Sequence, residues 1–394
     1  MSLAALDLAV HRDRTPFKST AADTSHAFAP DAFDRFPNGI MVCDRHGRVV
    51  TANTRLWELV TGTREPECRL RSCCQLLGCR TSGSPLANAC LTTLALETGG
   101  RVPEVRIELA GSHAATLLVS AAPLYEDGSH VVVDVRPAQA SQSVVPRLRI
   151  FALGPLRIET ANGHLAGEWL EQRPGQLLRF LVSRRGQPAP TDVIAEALWS
   201  APSPAARGTI RYLVHALRDQ LEPERGKKGE SATIVCRRGC YALHPDHIWL
   251  DVDEYEREVT LGIAALHAGD HSRGSQHLER AVNLYGGDFL ADEPFADWAM
   301  IERERLRGLA SDALRKLSGL RGDSNGTYLE RLAELEPLDD DVQRELISTW
   351  LRLGRKSRAA RQYQSFRLRS LREFGRPPDF ELTHLVAAAH EPVR

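Results

Sequence analysis

Five of the eight cysteines lie within 23 residues of chain and form the densest group of potential metal ligands in the sequence. They are Cys68, Cys73, Cys74, Cys79 and Cys90. Thiolates bind zinc or iron–sulfur clusters, and a closed site made only of cysteines needs four of them. The spacing does not repeat a CxxC pair, so it favours an iron–sulfur loop at least as well as a zinc site. An iron–sulfur cluster here would make this region an oxygen or redox sensor.

Two further interpretations of these cysteines stay open. They could form a reversible thiol switch, or they could be free thiols that pack as small apolar side chains. Cys73 and Cys74 are adjacent and cannot both ligate one ion comfortably, so one of the five is expected to be spare. Cys236 and Cys240 lie far along the chain and are interpreted as strand and turn residues.

A second group with chemical potential is a set of basic side chains on one predicted helix, which runs to Leu221. Its basic positions recur at helical spacing, and they are Arg207, Arg211, His215 and Arg218. Thr209 and Tyr212 flank them, and apolar residues occupy another face of the same helix. Arginine grips guanine or phosphate with two parallel hydrogen bonds, so this face suits the major groove of DNA.

A predicted hairpin follows this helix and carries two more basic residues, Arg237 and Arg238, at its turn. Gly239 would let the turn close tightly and leave both arginines pointing outward, toward a phosphate or the minor groove. A charged helix face alone could equally be a solvated surface. The two arginines at the turn of the following hairpin favour the interpretation as a DNA-binding surface. The predicted DNA contacts are therefore Arg207, Thr209, Arg211, Tyr212, His215, Arg218, Arg237 and Arg238.

Charge and motif content narrow the class of protein. Residues 146–250 hold 15 Lys and Arg against 10 Asp and Glu, whereas residues 251–394 hold 21 against 26. A basic middle third is what a nucleic-acid-binding centre requires. The sequence lacks GxxxxGK[ST], HExxH, GxSxG and dinucleotide motifs, so no enzyme is predicted. It also lacks a membrane-length apolar run and an apolar leader, so a cytoplasmic location without membrane contact is expected.

The elements that must position these residues indicate a multidomain α+β chain. Residues 1–30 are expected to be a disordered tail. Residues 31–137 alternate as a hairpin, short helices and three antiparallel strands, an order that resembles a PAS-type α/β sensor domain. Residues 146–250 predict a short sheet, three helices and a hairpin, and thus a winged helix-turn-helix, with Ser203-Pro204 capping the third helix. Residues 251–394 read as helices only, like an all-α tetratricopeptide-type repeat.

At this level the sequence resembles a known family. Residues 147–390 are similar to the SARP family of actinobacterial antibiotic regulatory proteins, which join an OmpR-like winged helix to a bacterial transcriptional activator domain. The matching motifs are Phe151 to Ile158, Ala195 to Trp199, Arg207 to Ile210 with Leu217-Arg218, Arg237 to Tyr241, and Tyr285 to Leu290 with Glu302 to Leu306. Gly208 stands where the family often has Asn, and Cys240 where it often has Gly.

The resemblance implies an activator of secondary metabolism that binds double-stranded promoter DNA at direct repeats, as a homo-oligomer, and recruits RNA polymerase. The N-terminal domain would then supply the signal, a redox state or a ligand. The competing hypothesis is a signalling adaptor that binds no DNA and uses its PAS-like and helical-repeat domains to bind other proteins. The basic helix and hairpin favour the DNA-binding regulator.

Overall fold

The computed structural model describes residues 33–34, 36, 38–63, 72–78, 90–109, 115–124, 128–138, 147–199, 206–224, 231–321 and 326–389. The tail 1–30, Cys68, Cys79 and the predicted cap Ser203-Pro204 lie outside the described residues. Within the described part of the chain, no helix is long and apolar enough to cross a membrane.

The N-terminal region contains one antiparallel sheet of five strands: β1 (Gly39–Asp44), β2 (Val49–Ala52), β3 (Val102–Leu109), β4 (Ala115–Pro123) and β5 (His130–Pro137). Their order across the sheet is β2-β1-β5-β4-β3. Helices α1 (Thr54–Thr61), α2 (Cys73–Leu77) and α3 (Leu91–Thr98) lie between β2 and β3 in sequence. The buried amide of Asn53 fixes the passage from β2 to α1, because its oxygen accepts from the backbone N–H groups of Ile40 and Leu56. The predicted order of elements is present.

The middle region joins a second sheet to three helices and a hairpin. Strands β6 (Leu148–Phe151), β7 (Arg157–Thr160) and β8 (Gly163–Leu165) are antiparallel, as predicted. Helices α4 (Arg173–Ser183), α5 (Thr191–Leu198) and α6 (Ala206–Leu221) bury their apolar faces together. The two-residue strand β9 (Ala189–Pro190) pairs with the hairpin strand β11 (Cys240–Leu243), which pairs with β10 (Ile234–Arg237). An unpredicted strand, β12 (Ile248–Leu250), then lies parallel to β6.

The C-terminal region is helical, as predicted. It comprises α7 (Asp251–His267), α8 (His271–Leu284), α9 (Asp297–Arg321), α10 (Thr327–Leu335), α11 (Asp340–Arg352), α12 (Lys356–Phe374) and the unpredicted short helix α13 (Leu382–Ala388). Successive helices pack against one another, with α7 on α8, α9 on α10 and α11 on α12. Leu385 of α13 packs against the core that the later helices share.

Two buried contacts lock the middle region onto the helical region. Asp251, at the first turn of α7, accepts hydrogen bonds from the backbone N–H groups of Ala152 (2.8 Å) and Leu153 (3.0 Å). Leu153 also forms a β-bridge with Phe289, in the loop between α8 and α9. Because the apolar residues of both regions belong to one continuous core, α6 is held on a rigid base.

The N-terminal region packs against the same helices. Strand β3 and helix α3 contact α7. The Nε2 atom of His267 lies 3.5 Å from a carboxylate oxygen of Glu97, and Gly100 lies against the guanidinium of Arg305. The first region is therefore docked on the helical region in this structure.

Candidate functional site

Helix α6 presents two faces of opposite character. Ile210, Val214 and Leu217 are almost completely buried and pack in the core. Thr209, Arg211, Tyr212 and His215 are exposed. Tyr212 has 72% of its surface exposed, which is unusual for an aromatic residue that only fills space. The outward face therefore carries guanidinium, phenol, imidazole and hydroxyl groups beside one another, and Arg207 lies in the first turn of the same helix.

Two of the predicted contact residues have partners within the protein. The Nδ1 atom of His215 lies 2.8 Å from a carboxylate oxygen of Asp219, one turn further along α6. Arg218 is half-buried, and its Nη2 donates a hydrogen bond of 2.7 Å to the carbonyl of Ile234 in β10. The guanidinium of Arg218 is thus directed at the hairpin, which folds back against the end of α6. The sequence had predicted an exposed position for this side chain.

The end of α6 and the base of the hairpin are tied at a second point. Glu222 follows the last turn of α6, and its carboxylate accepts a hydrogen bond of 2.6 Å from the backbone N–H of Thr233. Together with the bond from Arg218 to Ile234, this contact fixes the angle between helix and hairpin.

The hairpin turn brings Arg237 and Arg238 to an exposed tip. Arg237 pairs with Cys240, so the turn consists of Arg238 and Gly239 alone. Both have positive φ, +52° and +79°, as the twist of a two-residue hairpin requires. Arg238 therefore occupies the left-handed region, which costs a non-glycine residue about 1 kcal/mol. The hairpin is confirmed, and its two arginines point away from the core.

Tyr241 links the hairpin to α6 electrostatically. Its pKa is raised, first by burial and then by the neighbouring Cys236. Arg218 and Arg211 act in the opposite sense, which places both guanidinium groups near the hairpin base. Arg211, on the exposed side of α6, therefore lies on the same side of the molecule as the base of the hairpin. Cys236 and Cys240 pair with different residues of the opposite strand and point to opposite faces of the hairpin, in agreement with their interpretation as structural residues.

The N-terminal cysteines separate into different environments. Cys73 is fully buried in the hydrophobic core. The thiols of Cys74 and Cys90 are hydrogen-bonded to each other, and the sulfur of Cys90 lies 2.8 Å from the hydroxyl of Thr92. The contact with Cys74, followed by burial, raises the pKa of Cys90 to about 12.

These contacts do not test the predicted metal site. Among the described residues, no group of three or more His, Cys, Asp or Glu side chains is placed to hold a metal ion. Cys68 and Cys79 lie outside those residues, so an iron–sulfur or zinc site stays a prediction. Among the five predicted ligands Cys68, Cys73, Cys74, Cys79 and Cys90, the core position of Cys73 distinguishes it from Cys74 and Cys90.

The sequence did not predict an ionic network that joins the turn after α4 to helices α7 and α9. Arg185 follows α4 and has a positive φ of +49°. Its guanidinium contacts Asp253 and Glu256 of α7 and lies 3.2 Å from Glu302 of α9. Arg305 contacts Glu256 and lies 2.8 Å from Glu302. Sequence spacing gives no signal for these pairs, because Arg185 and Glu302 are 117 residues apart.

Comparisons with known proteins agree with this architecture. Residues 250–389 match the family described as bacterial transcriptional activator domain. The regulatory protein AfsR of Streptomyces griseus is 26% identical over 270 residues, which are 66% of this chain and 26% of AfsR. The regulatory protein DnrI of Streptomyces peucetius is 25% identical over 253 residues, 61% of this chain and 91% of DnrI. This chain thus spans about a quarter of AfsR and most of DnrI.

A solved structure of Mycobacterium tuberculosis EmbR, in complex with a low-affinity phosphopeptide, is 25% identical to the chain. The likeness covers 64% of this chain and 67% of EmbR, with a TM-score of 0.45.

The matched family and the two regulatory relatives point to one class: the chain is similar to bacterial transcriptional regulators over residues 250–389 and, with the two relatives, over 61–66% of its length. These similarities agree with the resemblance to SARP-type regulators that the sequence motifs predicted.

Proposed function

We propose that the chain is a sequence-specific transcriptional activator in which residues 147–250 act as a winged helix. Helix α6 enters the major groove of promoter DNA, and the β10–β11 hairpin is the wing that follows the adjacent backbone. The observation that supports this best is the exposed pair Arg211 and Tyr212, on a helix whose other face is buried, beside a hairpin tip with two arginines. A solvated surface would not require an exposed tyrosine there.

The exposed residues divide into two roles. Arg211, Thr209 and Tyr212 lie on the outward face of α6 and read base edges, with Arg211 suited to guanine. Arg237 and Arg238 bind phosphate at the hairpin tip and carry no sequence information.

The remaining predicted contacts differ from these. Asp219 lies 2.8 Å from the ring nitrogen of His215 and orients that ring, so His215 offers a directed hydrogen bond. Arg218 acts as a positioning residue that sets the angle between α6 and the wing.

Two further parts of the proposal concern the flanking regions. The helical region from residue 251 onward recruits RNA polymerase once the protein is bound at a promoter. The N-terminal region acts as a PAS-like sensor, because its strands and helices follow the predicted PAS-type order and it is docked on the helices that support α6.

The experiment that tests DNA recognition compares Arg211→Ala with Arg273→Ala. Arg273 is also exposed but lies on α8, outside the proposed surface. If Arg211 contacts a base, its loss weakens operator binding by about 1–3 kcal/mol, or about 5- to 150-fold, whereas Arg273→Ala has no effect. Affinity is measured by fluorescence anisotropy on operator and random duplexes over a range of salt concentrations.

Two outcomes of the same titration would contradict the proposal. Equal operator affinity for wild type and Arg211→Ala removes Arg211 from the recognition surface. Failure of the wild type to bind any duplex at low salt would favour the adaptor function instead, since phosphate contacts are strongest there.

A further inference from the structure

Two exposed apolar patches lie on different parts of the helical region. The first, here the α9 patch, consists of Phe295, Met300 and Ile301, with 95%, 52% and 81% of their surfaces exposed. The second, here the α12 patch, consists of Leu368, Leu371 and Phe374, exposed by 68%, 40% and 54%. Single exposed apolar residues are common on protein surfaces, whereas several close together are a feature of interaction sites.

The rim of the α9 patch is acidic. Asp297 and Glu304 are exposed and lie within one turn of Met300 and Ile301 on the same helix, one before this pair and one after it. The basic residue nearest in sequence, Arg303, is turned inward, where it donates to the backbone carbonyls of Phe289 and Glu293. The patch therefore presents apolar side chains between carboxylates.

The rim of the α12 patch is basic. Leu368, Leu371 and Phe374 follow one another at intervals of three residues and share one side of α12. The basic residues of this part of the helix are Arg361, Arg367, Arg369 and Arg372. Its one acidic residue between positions 361 and 374, Glu373, lies 2.8 Å from Arg372 and offsets only that charge.

The signs of the two rims determine which contacts between copies are favourable. Pairing either patch with itself would bring like charges together, which opposes association. Pairing the α9 patch of one copy with the α12 patch of another buries both apolar groups and places carboxylates opposite guanidinium groups. Since the two surfaces differ, such a contact is heterologous, or head-to-tail.

We propose that copies of this chain associate head-to-tail, with the α9 patch of one copy seated on the α12 patch of the next. Six apolar side chains make a small interface, so the contact is weak and transient in solution, with dissociation constants on the order of micromolar or above. When two copies occupy adjacent DNA sites, their high effective concentration strengthens the same contact. Only this last consequence rests on the proposed function.

The test needs no DNA and uses the full chain. Sedimentation velocity is measured from about 1 to about 100 µM, the range in which a weak contact of this size assembles. We expect the sedimentation coefficient of the wild type to rise with concentration, and the rise to shrink in high salt because the rims are exposed. Ile301→Asp and Leu368→Asp each disable one patch and should each remain monomeric. Val50→Asp, at an apolar residue of similar exposure on β2, should associate as the wild type does.

Mixing the two disabled variants in equal amounts gives the decisive result. The intact α12 patch of Ile301→Asp can bind the intact α9 patch of Leu368→Asp, so the mixture should form dimers that grow no further. Absence of recovery in the mixture, or association of either single variant like the wild type, overturns the head-to-tail contact. A wild type that stays monomeric at every concentration also overturns it. Circular dichroism of each variant excludes misfolding, and duplex binding measured separately reports on the proposed DNA function.

Discussion

Three arginines around the hairpin carry the same charge but are placed in different surroundings. Arg211 is exposed on α6, Arg218 is half-buried against β10, and Arg238 sits at the turn with positive φ. An exposed guanidinium is free to meet DNA, whereas one bonded to a backbone carbonyl contributes to stability. Replacing each of them should therefore change a different measurable property.

Arg218→Ala should act on folding. The change removes a hydrogen bond between a charged donor and the carbonyl of Ile234, and such bonds contribute about 1.5–3 kcal/mol. We expect the free energy of unfolding in urea to fall by about that amount, with operator affinity reduced only as far as the hairpin moves. If stability is unchanged and DNA affinity falls strongly, Arg218 contacts DNA directly and is not a positioning residue.

Arg238→Asn should raise stability while weakening DNA binding. Asn tolerates the left-handed region and is favoured before glycine in this turn, so about 0.5–1 kcal/mol of stability is expected. The loss of one phosphate contact should lower the slope of log affinity against log salt by about 0.9. Thermal unfolding and salt titration measure the two effects, and a lower melting temperature would show that Arg238 has a structural role at the turn.

At the scale of single residues, the sequence predicted which side chains of α6 are exposed better than it predicted their hydrogen-bond partners. The spacing of Arg211 and Tyr212 against Ile210 and Val214 was enough to predict their exposure, because a helix sorts residues by period. The bond from Arg218 to Ile234 depends on how the hairpin folds back over 16 residues, and helical periodicity carries no information about that. The burial of Cys73 likewise depends on tertiary packing, because α2 packs the face that carries Cys73 against the hydrophobic core.

At the scale of elements, the network around Glu256 joins α7, α9 and the turn after α4. Glu256 is almost completely buried. Burial alone would raise its pKa, but Arg185 and Arg305 outweigh burial and hold the pKa below its usual range. A buried charge with two ionic partners fixes the relative placement of the three elements, because losing one partner leaves the other charge uncompensated.

This network predicts a specific response to acid. Because the folded-state pKa of Glu256 is lowered, its contribution to stability is fully present above the ordinary carboxyl pKa of about 4.3 and is lost as the pH falls toward the folded-state value. Glu256→Gln should lower stability at pH 7 by about 3 kcal/mol, since two buried guanidinium groups lose their shared carboxylate. Its stability should also fall less steeply than that of the wild type below pH 4.3. Parallel acid-unfolding curves for the two proteins would contradict this role.

The elements themselves were largely predictable, and the exceptions have a physical cause. The all-helical character of residues 251–394 was predicted correctly, because long amphipathic periods are strong signals. Strand β12 was missed, since three residues show no period and form a strand only by pairing with β6, about 100 residues away. Helix α13 was missed because its seven residues form only two turns and are stabilised by packing on α11.

At the scale of the whole molecule, the N-terminal region is linked by a short series of contacts to the helices that support α6. Gly100 follows α3 and lies against Arg305, which shares Glu256 and Glu302 with Arg185 of the middle region. All three regions of the chain therefore meet within a few side chains. Contacts alone do not establish coupling, so the junction must be tested by perturbing one side and measuring the other.

Gly100→Leu should separate the N-terminal region from the helices. A Cβ atom at position 100 would lie 2.3 Å from Nη1 of Arg305, and that guanidinium is held by Glu256 and Glu302, so it cannot move aside without breaking the network. We expect a larger radius of gyration in small-angle scattering. Gly319→Leu on α9, where a Cβ atom meets nothing within 4 Å, should leave the radius unchanged. If operator affinity changes with Gly100→Leu alone, docking and DNA binding are coupled, whereas an unchanged radius would show that the interface absorbs the side chain.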